Sequence, residues 1–257
     1  MLPEQRRRQV LEYLSSNGAG NVAELAEELG VSVATVRRDL MDLERGGKIK
    51  RTHGGAVLPH FSLAFEPDHG VKATAMIAEK RAIARRAAAM VNDGQVVILD
   101  SGSTTLQLAR ELQRKRGLTI VTTDLNVALE LCDVPTHEVI MVGGRVRRHL
   151  YNVIGPIAEW VLDTIHANHV FMGADAIHLR EGVTNANLDE VPIKRMAIAS
   201  GKNRVLLADH TKFGRTSLAK VTDLAAFDSI ITDWGAPSEM LSAFAAAGVT
   251  LDVAEES

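Results

Sequence analysis

From residue 96 onward, short apolar runs alternate with helix-patterned stretches, and nothing else in the chain limits its fold as strongly. The runs are VVILD (96–100), LTIVT (118–122), EVIMV (138–142), HVFMG (169–173), RVLLA (204–208), SIITD (229–233) and TLDVA (250–254). Strand-length apolar runs separated by helical segments predict an α/β sheet, largely parallel and covered by helices. At roughly one domain per ~150 residues, a chain of 257 residues leaves room for a second, smaller part.

That smaller part is legible at the N-terminus. Val10, Leu11 and Leu14 repeat at helical spacing, as do Val22, Leu25, Ala26 and Leu29 before Gly30. Ser32 can cap a third helix with an apolar face of Val33, Val36, Leu40 and Leu43, ending at Gly46-Gly47. KIKRT (48–52) and AVL (56–58) flank His53-Gly54-Gly55, a pattern of two short strands joined by a glycine turn. Three helices and a small hairpin predict a winged helix-turn-helix over 1–58. Between 59 and 76 periodicity is lost and Pro59, Pro67 and Gly70 collect, predicting a linker to an α/β domain at 77–257.

The net charge of −3 argues against a protein that coats nucleic acid indiscriminately. Basic residues are concentrated instead over 31–58, where Arg37, Arg38, Arg45, Lys48, Lys50 and Arg51 face only Asp39, Asp42 and Glu44. The second helix of such a motif enters the major groove, where arginine can donate two bonds to guanine. Thr35, Arg37 and Arg38 are the candidate base readers. Ser32 at the helix start, with Lys48, Lys50, Arg51 and His53 in the wing, would hold phosphates. An Arg-Arg pair on a short helix can also simply face water, and the surrounding pattern is what favours DNA.

Here the sequence also resembles a known family. GVSVATVRRDLMDLERGGKIKRTHGGA (30–56) is similar to the N-terminal signature of the DeoR family of bacterial sugar-responsive repressors. The similarity extends to DSGSTT (100–105), VGG (142–144), MGADAI (172–177) and ADHTKFG (208–214). The resemblance implies a winged helix-turn-helix that binds operator double-stranded DNA, followed by a domain that binds a phosphorylated sugar effector. It further implies a repressor of a carbohydrate-metabolism operon, released on effector binding. The sequence departs from the commonest family pattern at Ala176, where glycine is frequent, and in TNANLDE (184–190).

In DSGSTT a strand ends in a small, hydroxyl-rich turn at the start of a helix. Exposed N–H groups there favour an anion, and Ser101, Ser103, Thr104 and Thr105 around Gly102 can add donors. A capped turn with no ligand is the alternative reading, and the resemblance favours phosphate. TTDLN, with Thr123 and Asn126, GADAI and ADHTKFG should converge on the same edge, because strand C-termini form the usual crevice of open α/β sheets. Lys212 is the candidate phosphate cation. Asp100, Asp175 and Glu190 supply acceptors for sugar hydroxyls, and Lys194 can reach the ligand or pair with Glu190. Arg145, Arg147 and Arg148 are read as solvated or as subunit contacts.

The second domain also resembles ribose-5-phosphate isomerase, so an isomerase-like enzyme with an accessory DNA-binding domain is the competing reading, with Glu190 as general base. Fold likeness alone does not establish that chemistry, and the attached DNA reader favours sensing over catalysis. His166 and His169 have helical spacing but lack a third ligand, so no metal or other cofactor is expected. Cys132, the single cysteine, cannot form an intrachain disulfide and is read as a small core residue. A charged N-terminus and apolar runs far short of ~20 residues predict a cytoplasmic protein with no membrane contact. A short recognition helix reads few base pairs, so a homo-oligomer, at least a dimer, is expected.

Overall fold

The computed structural model describes residues 2–256 apart from 18, 47, 53, 58–62 and 64–65. The chain divides into two compact units, Met1–Ala75 and Met76–Ser257.

In the first unit, α1 (Pro3–Asn17), α2 (Val22–Glu28) and α3 (Val33–Arg45) surround a core that includes Val10, Leu14, Leu25, Val36, Leu40 and Ile49. Asn21 and Glu24 form a reciprocal capping box at the start of α2, fixing its first turn. Its end closes when the Val31 N–H donates to the Ala26 carbonyl at 3.0 Å. Ser32 caps α3 by accepting from the Thr35 N–H at 3.2 Å. The predicted apolar face needs one correction: Val33 is exposed, whereas Val36, Leu40 and Leu43 are buried. Val33 sits in the first turn beside the cap, before the stripe reaches the core. Asp39 takes a buried place on that face instead, paired with Arg6 of α1, whose Nε donates to it at 2.5 Å.

The wing is a three-stranded antiparallel sheet, with β1 (Ala19–Asn21), β2 (Lys50–Arg51) and β3 (Gly55–Val57) in the order β1-β3-β2. The sequence predicts only the hairpin, because AGN has no strand signal of its own and pairs only through β3. The pairing depends on Gly55: a Cβ there would lie 2.1 Å from the Gly20 carbonyl oxygen. Within the segment read as a linker, His69–Thr74 forms α4, and Val71 packs against the core of the first unit. Six residues without a clear apolar stripe gave no periodicity from which to predict it.

The second unit is an α/β/α sandwich. Its elements run α5 (Ile77–Ala88), β4 (Val96–Leu99), α6 (Ser103–Leu112), β5 (Thr119–Thr122), α7 (Leu125–Leu131), β6 (Glu138–Met141) and the hairpin β7 (Arg145–Val146)/β8 (Val153–Ile154). There follow α8 (Pro156–Asp163), β9 (Ala167–Gly173), β10 (Ala176–His178), β11 (Gly182–Asn185), α9 (Val191–Ala199), β12 (Gly201–Leu207), β13 (Ala219–Thr222), β14 (Ser229–Asp233), α10 (Ser238–Ala246) and β15 (Leu251–Ala254). The apolar runs form a seven-stranded parallel sheet ordered β15-β14-β12-β9-β4-β5-β6.

Alternating residues face opposite layers, as the strand pleat requires. Val97, Leu99, Phe171 and Leu207 pack with Ile83, Leu108 and Leu131 of α5, α6 and α7. Ile98, Val170, Met172 and Leu206 pack with Leu162 and Ile198 of α8 and α9. A smaller antiparallel sheet, β10-β11-β13, has no counterpart in the sequence reading. His169 is also corrected: it lies in β9, stacked on Phe171 with ring centroids 5.7 Å apart, and is not on a helix with His166. Cys132 is exposed at the end of α7, not in the core.

Candidate functional site

The first unit presents α3 as the second helix of a helix-turn-helix. Arg37 and Arg38 are exposed and, among the described residues, enter no ion pair. Burial of Val36, Asp39 and Leu40 fixes the helix rotation that turns both arginines outward. Thr35 is half-buried and its hydroxyl lies 2.8 Å from that of Ser32, so the cap occupies part of its hydrogen-bonding capacity. Lys50 and Arg51 are exposed on β2. Lys48 is exposed but lies 3.6 Å from Asp68, a weak surface pair that DNA could displace. His53 lies outside the described residues. Sequence reasoning missed Arg6 and Arg7, which hold α3 through Asp39 and Asp42, the latter at 2.9 Å.

The second site follows from strand order. β4 and β9 are neighbours from which the chain runs outward in opposite directions, so a crevice opens between their C-terminal ends. Asp100 follows β4 directly and accepts from the Gly173 N–H at 3.0 Å, joining the two strand tips. Lys194, from α9, donates to the same carboxylate and to the Gly173 carbonyl at 3.3 Å. Burial pushes the Asp100 carboxyl above the ordinary carboxylate range against the pull of Lys194. Burial alone would discourage the Lys194 charge, but Asp100, Glu190 and Asp175 hold the ammonium above the ordinary lysine range. A buried ammonium facing three carboxylates stays charged at neutral pH.

Around this pair the predicted residues take different parts. Gly102 has φ 148°, a backbone conformation that favours glycine, and its N–H donates to Asp124 at 3.0 Å. The amides of Ser103, Thr104 and Thr105 are those a helix start leaves without intrahelical partners. Thr105 is corrected as a hydroxyl donor to ligand: it is fully buried and donates to the Gly102 carbonyl at 2.9 Å. Thr123 is buried, and Asn126 donates to Asp124 at 3.1 Å. Asp175 accepts from the Ala186 N–H at 3.0 Å. Lys212 is half-buried in the turn His210–Lys212 after β12. Beside it, burial favours a neutral Asp209, yet Lys212, Lys80 and the Thr211 donors hold its carboxyl below the ordinary range.

Glu190 departs most from expectation. It pairs with Arg147 and accepts from Asn152 at 2.6 Å and Asn185 at 2.5 Å, so it is not a free acceptor and does not bond to Lys194. Arg147, which the sequence predicts to be solvated or a subunit contact, is instead at the centre of the site. The hairpin accounts for this. His149 and Tyr151, with φ 63° and 59°, reverse the chain, and the Arg147 N–H donates to the Asn152 carbonyl at 2.8 Å, bringing both side chains to Glu190. Asp124, Asn152, Asn185, Lys80 and Asp209 were also missed. Only Asp124, ahead of an apolar helical run, carried a readable cap signal.

A helix-turn-helix unit with two exposed, outward arginines, followed by an α/β unit with a polar crevice at its strand tips, is the make-up of a transcriptional regulator with a sensor domain. The chain belongs to the DeoR family of such regulators. Residues 6–61 match the DeoR-like helix-turn-helix domain and residues 75–234 the DeoR C-terminal sensor domain. It is similar to the HTH-type transcriptional regulator GolR of Listeria innocua, at 37% identity over 99% of this chain and 100% of the relative. The regulator GlpR of Haloferax volcanii is 36% identical over 98% of each chain. The glycerol-3-phosphate regulon repressor of Escherichia coli is 31% identical over 94% of this chain and 95% of the relative. Among solved structures, ribose 5-phosphate isomerase A of Methanocaldococcus jannaschii aligns with 52% of this chain and 53% of its own, at 17% identity and a TM-score of 0.38. No helix among the described residues is long and apolar enough to cross a membrane.

Proposed function

We propose that this chain is a sequence-specific repressor of a carbohydrate-metabolism operon and that a phosphorylated sugar releases it from its operator. Arg37 and Arg38 read bases, while Ser32, Lys48, Lys50 and Arg51 hold the DNA backbone. In the second unit the turn Ser101–Thr104 and Lys212 take the phosphate, and the groups around Lys194 and Asp100 face the sugar. The observation that carries the sensor reading is the charged cluster at the β4–β9 switch point beside the N-terminal amides of α6. A relative named for a glycerol-3-phosphate regulon supports the effector class. The chain works in the cytoplasm as a dimer or larger, with half-sites spaced by whole helical turns.

The isomerase reading is disfavoured by Glu190, whose carboxylate is occupied by three donors and is poorly placed to take a substrate proton. Operator titration with and without a panel of sugar phosphates tests the proposal. Wild type loses operator affinity with one of them, and Lys212→Ala keeps effector-free affinity but loses the response. A protein whose operator affinity no sugar phosphate changes, or one that turns over a sugar phosphate, contradicts it.

A further inference from the structure

Asn152 is 4% exposed, and its side-chain oxygen Oδ1 is buried with no donor in reach among the described residues. The other end of the same amide is fully engaged. Nδ2 donates to Ser101 Oγ at 3.0 Å and to Glu190 Oε1 at 2.6 Å. That settles the orientation: turning the amide over would set its oxygen against a carboxylate that also receives Arg147 and Asn185. The oxygen is therefore left as an acceptor by the partners of the nitrogen. Buried polar atoms in native proteins are nearly always hydrogen-bonded, so an orphan acceptor at a candidate site calls for a donor from outside the chain.

We infer that Asn152 is an effector-reading residue whose Oδ1 accepts a hydrogen bond from a hydroxyl of the phosphorylated ligand. The inference rests on the sugar-phosphate reading above and deepens it. Ser101, the neighbour of Nδ2, belongs to the turn assigned to the phosphate, so the hydroxyl that is read lies near the phosphate end of the ligand. The partner must be a donor, because an ionised carboxylate placed there would meet an acceptor and, across the same amide, Glu190. The site selects phosphorylated polyols and sugars with a free hydroxyl at that position over their deoxy or carboxylate counterparts.

The test uses the full chain in thermal-shift titrations with inorganic phosphate, glycerol 3-phosphate, ribose 5-phosphate and glucose 6-phosphate. The compound that binds tightest is then compared with its singly deoxygenated analogues, on wild type and on Asn152→Ala. We expect one deoxygenation to weaken binding to wild type by at least about tenfold, since it leaves a buried acceptor unpaired. In Asn152→Ala the parent and that analogue bind alike. Wild-type discrimination in Asn152→Ala overturns the inference but leaves the sugar-phosphate function standing. Should Asn152→Ala fail to fold, the wild-type series decides alone, and the absence of any deoxygenation costing tenfold overturns it. No shift with any of the four phosphates overturns the function and this inference together.

Discussion

Lys194 donates to Asp100 across the point where the strand order reverses, tying α9 to the tip of β4. Both side chains are buried, so each charge depends on the other. Lys194→Ala is expected to cost about 3–5 kcal/mol, because it strands a buried carboxylate. Lys194→Met combined with Asp100→Asn costs clearly less. Urea unfolding of the two variants makes the comparison, and equal losses would show that the pair is not coupled.

The shifted groups set the pH limits. The Lys194 pKa is raised on folding, so its stabilisation is complete below the unfolded value of about 10.4 and is lost as pH rises through the folded one. The Asp209 pKa is lowered, so its contribution is complete above about 3.9 and is lost as pH falls through the folded value. Asp209→Asn should therefore flatten the acid limb of a stability–pH curve and leave the alkaline limb unchanged. An acid limb identical to that of wild type would contradict the assignment.

On DNA, Arg37→Ala and Arg38→Ala should each relax discrimination at particular operator bases by about 1–3 kcal/mol. Lys50→Ala should instead weaken every sequence alike and reduce the salt dependence of binding. Titrations of operator and scrambled duplexes at several salt concentrations separate the two behaviours. Equal loss on both duplexes for Arg38→Ala would reassign it to the backbone.

Gly55→Ala should disrupt the wing, because the added Cβ lies 2.1 Å from the Gly20 carbonyl and 2.7 Å from the Asn21 Cα, both backbone atoms. Overpacking of this kind costs about 1–3 kcal/mol. The melting temperature falls and operator affinity falls with it. Gly54→Ala, where a Cβ meets open space, serves as the control.

What the sequence by itself determined was local. Apolar periodicity placed every strand of the large sheet, since each strand announces itself by its own run, and the cap Ser32 marked where α3 begins. The family signature lay in contiguous motifs for the same reason. Only the tertiary structure decided which distant groups meet. Arg147, Asn152 and Asn185 converge on Glu190 from a hairpin and a small sheet that have no strong pattern. Asp39 is buried because Arg6 reaches it from another helix, and β1 exists only because Gly55 lets β3 come close. Periodicity reports which face of an element is apolar, whereas the partner of a buried charge is set by packing between segments that the sequence keeps far apart.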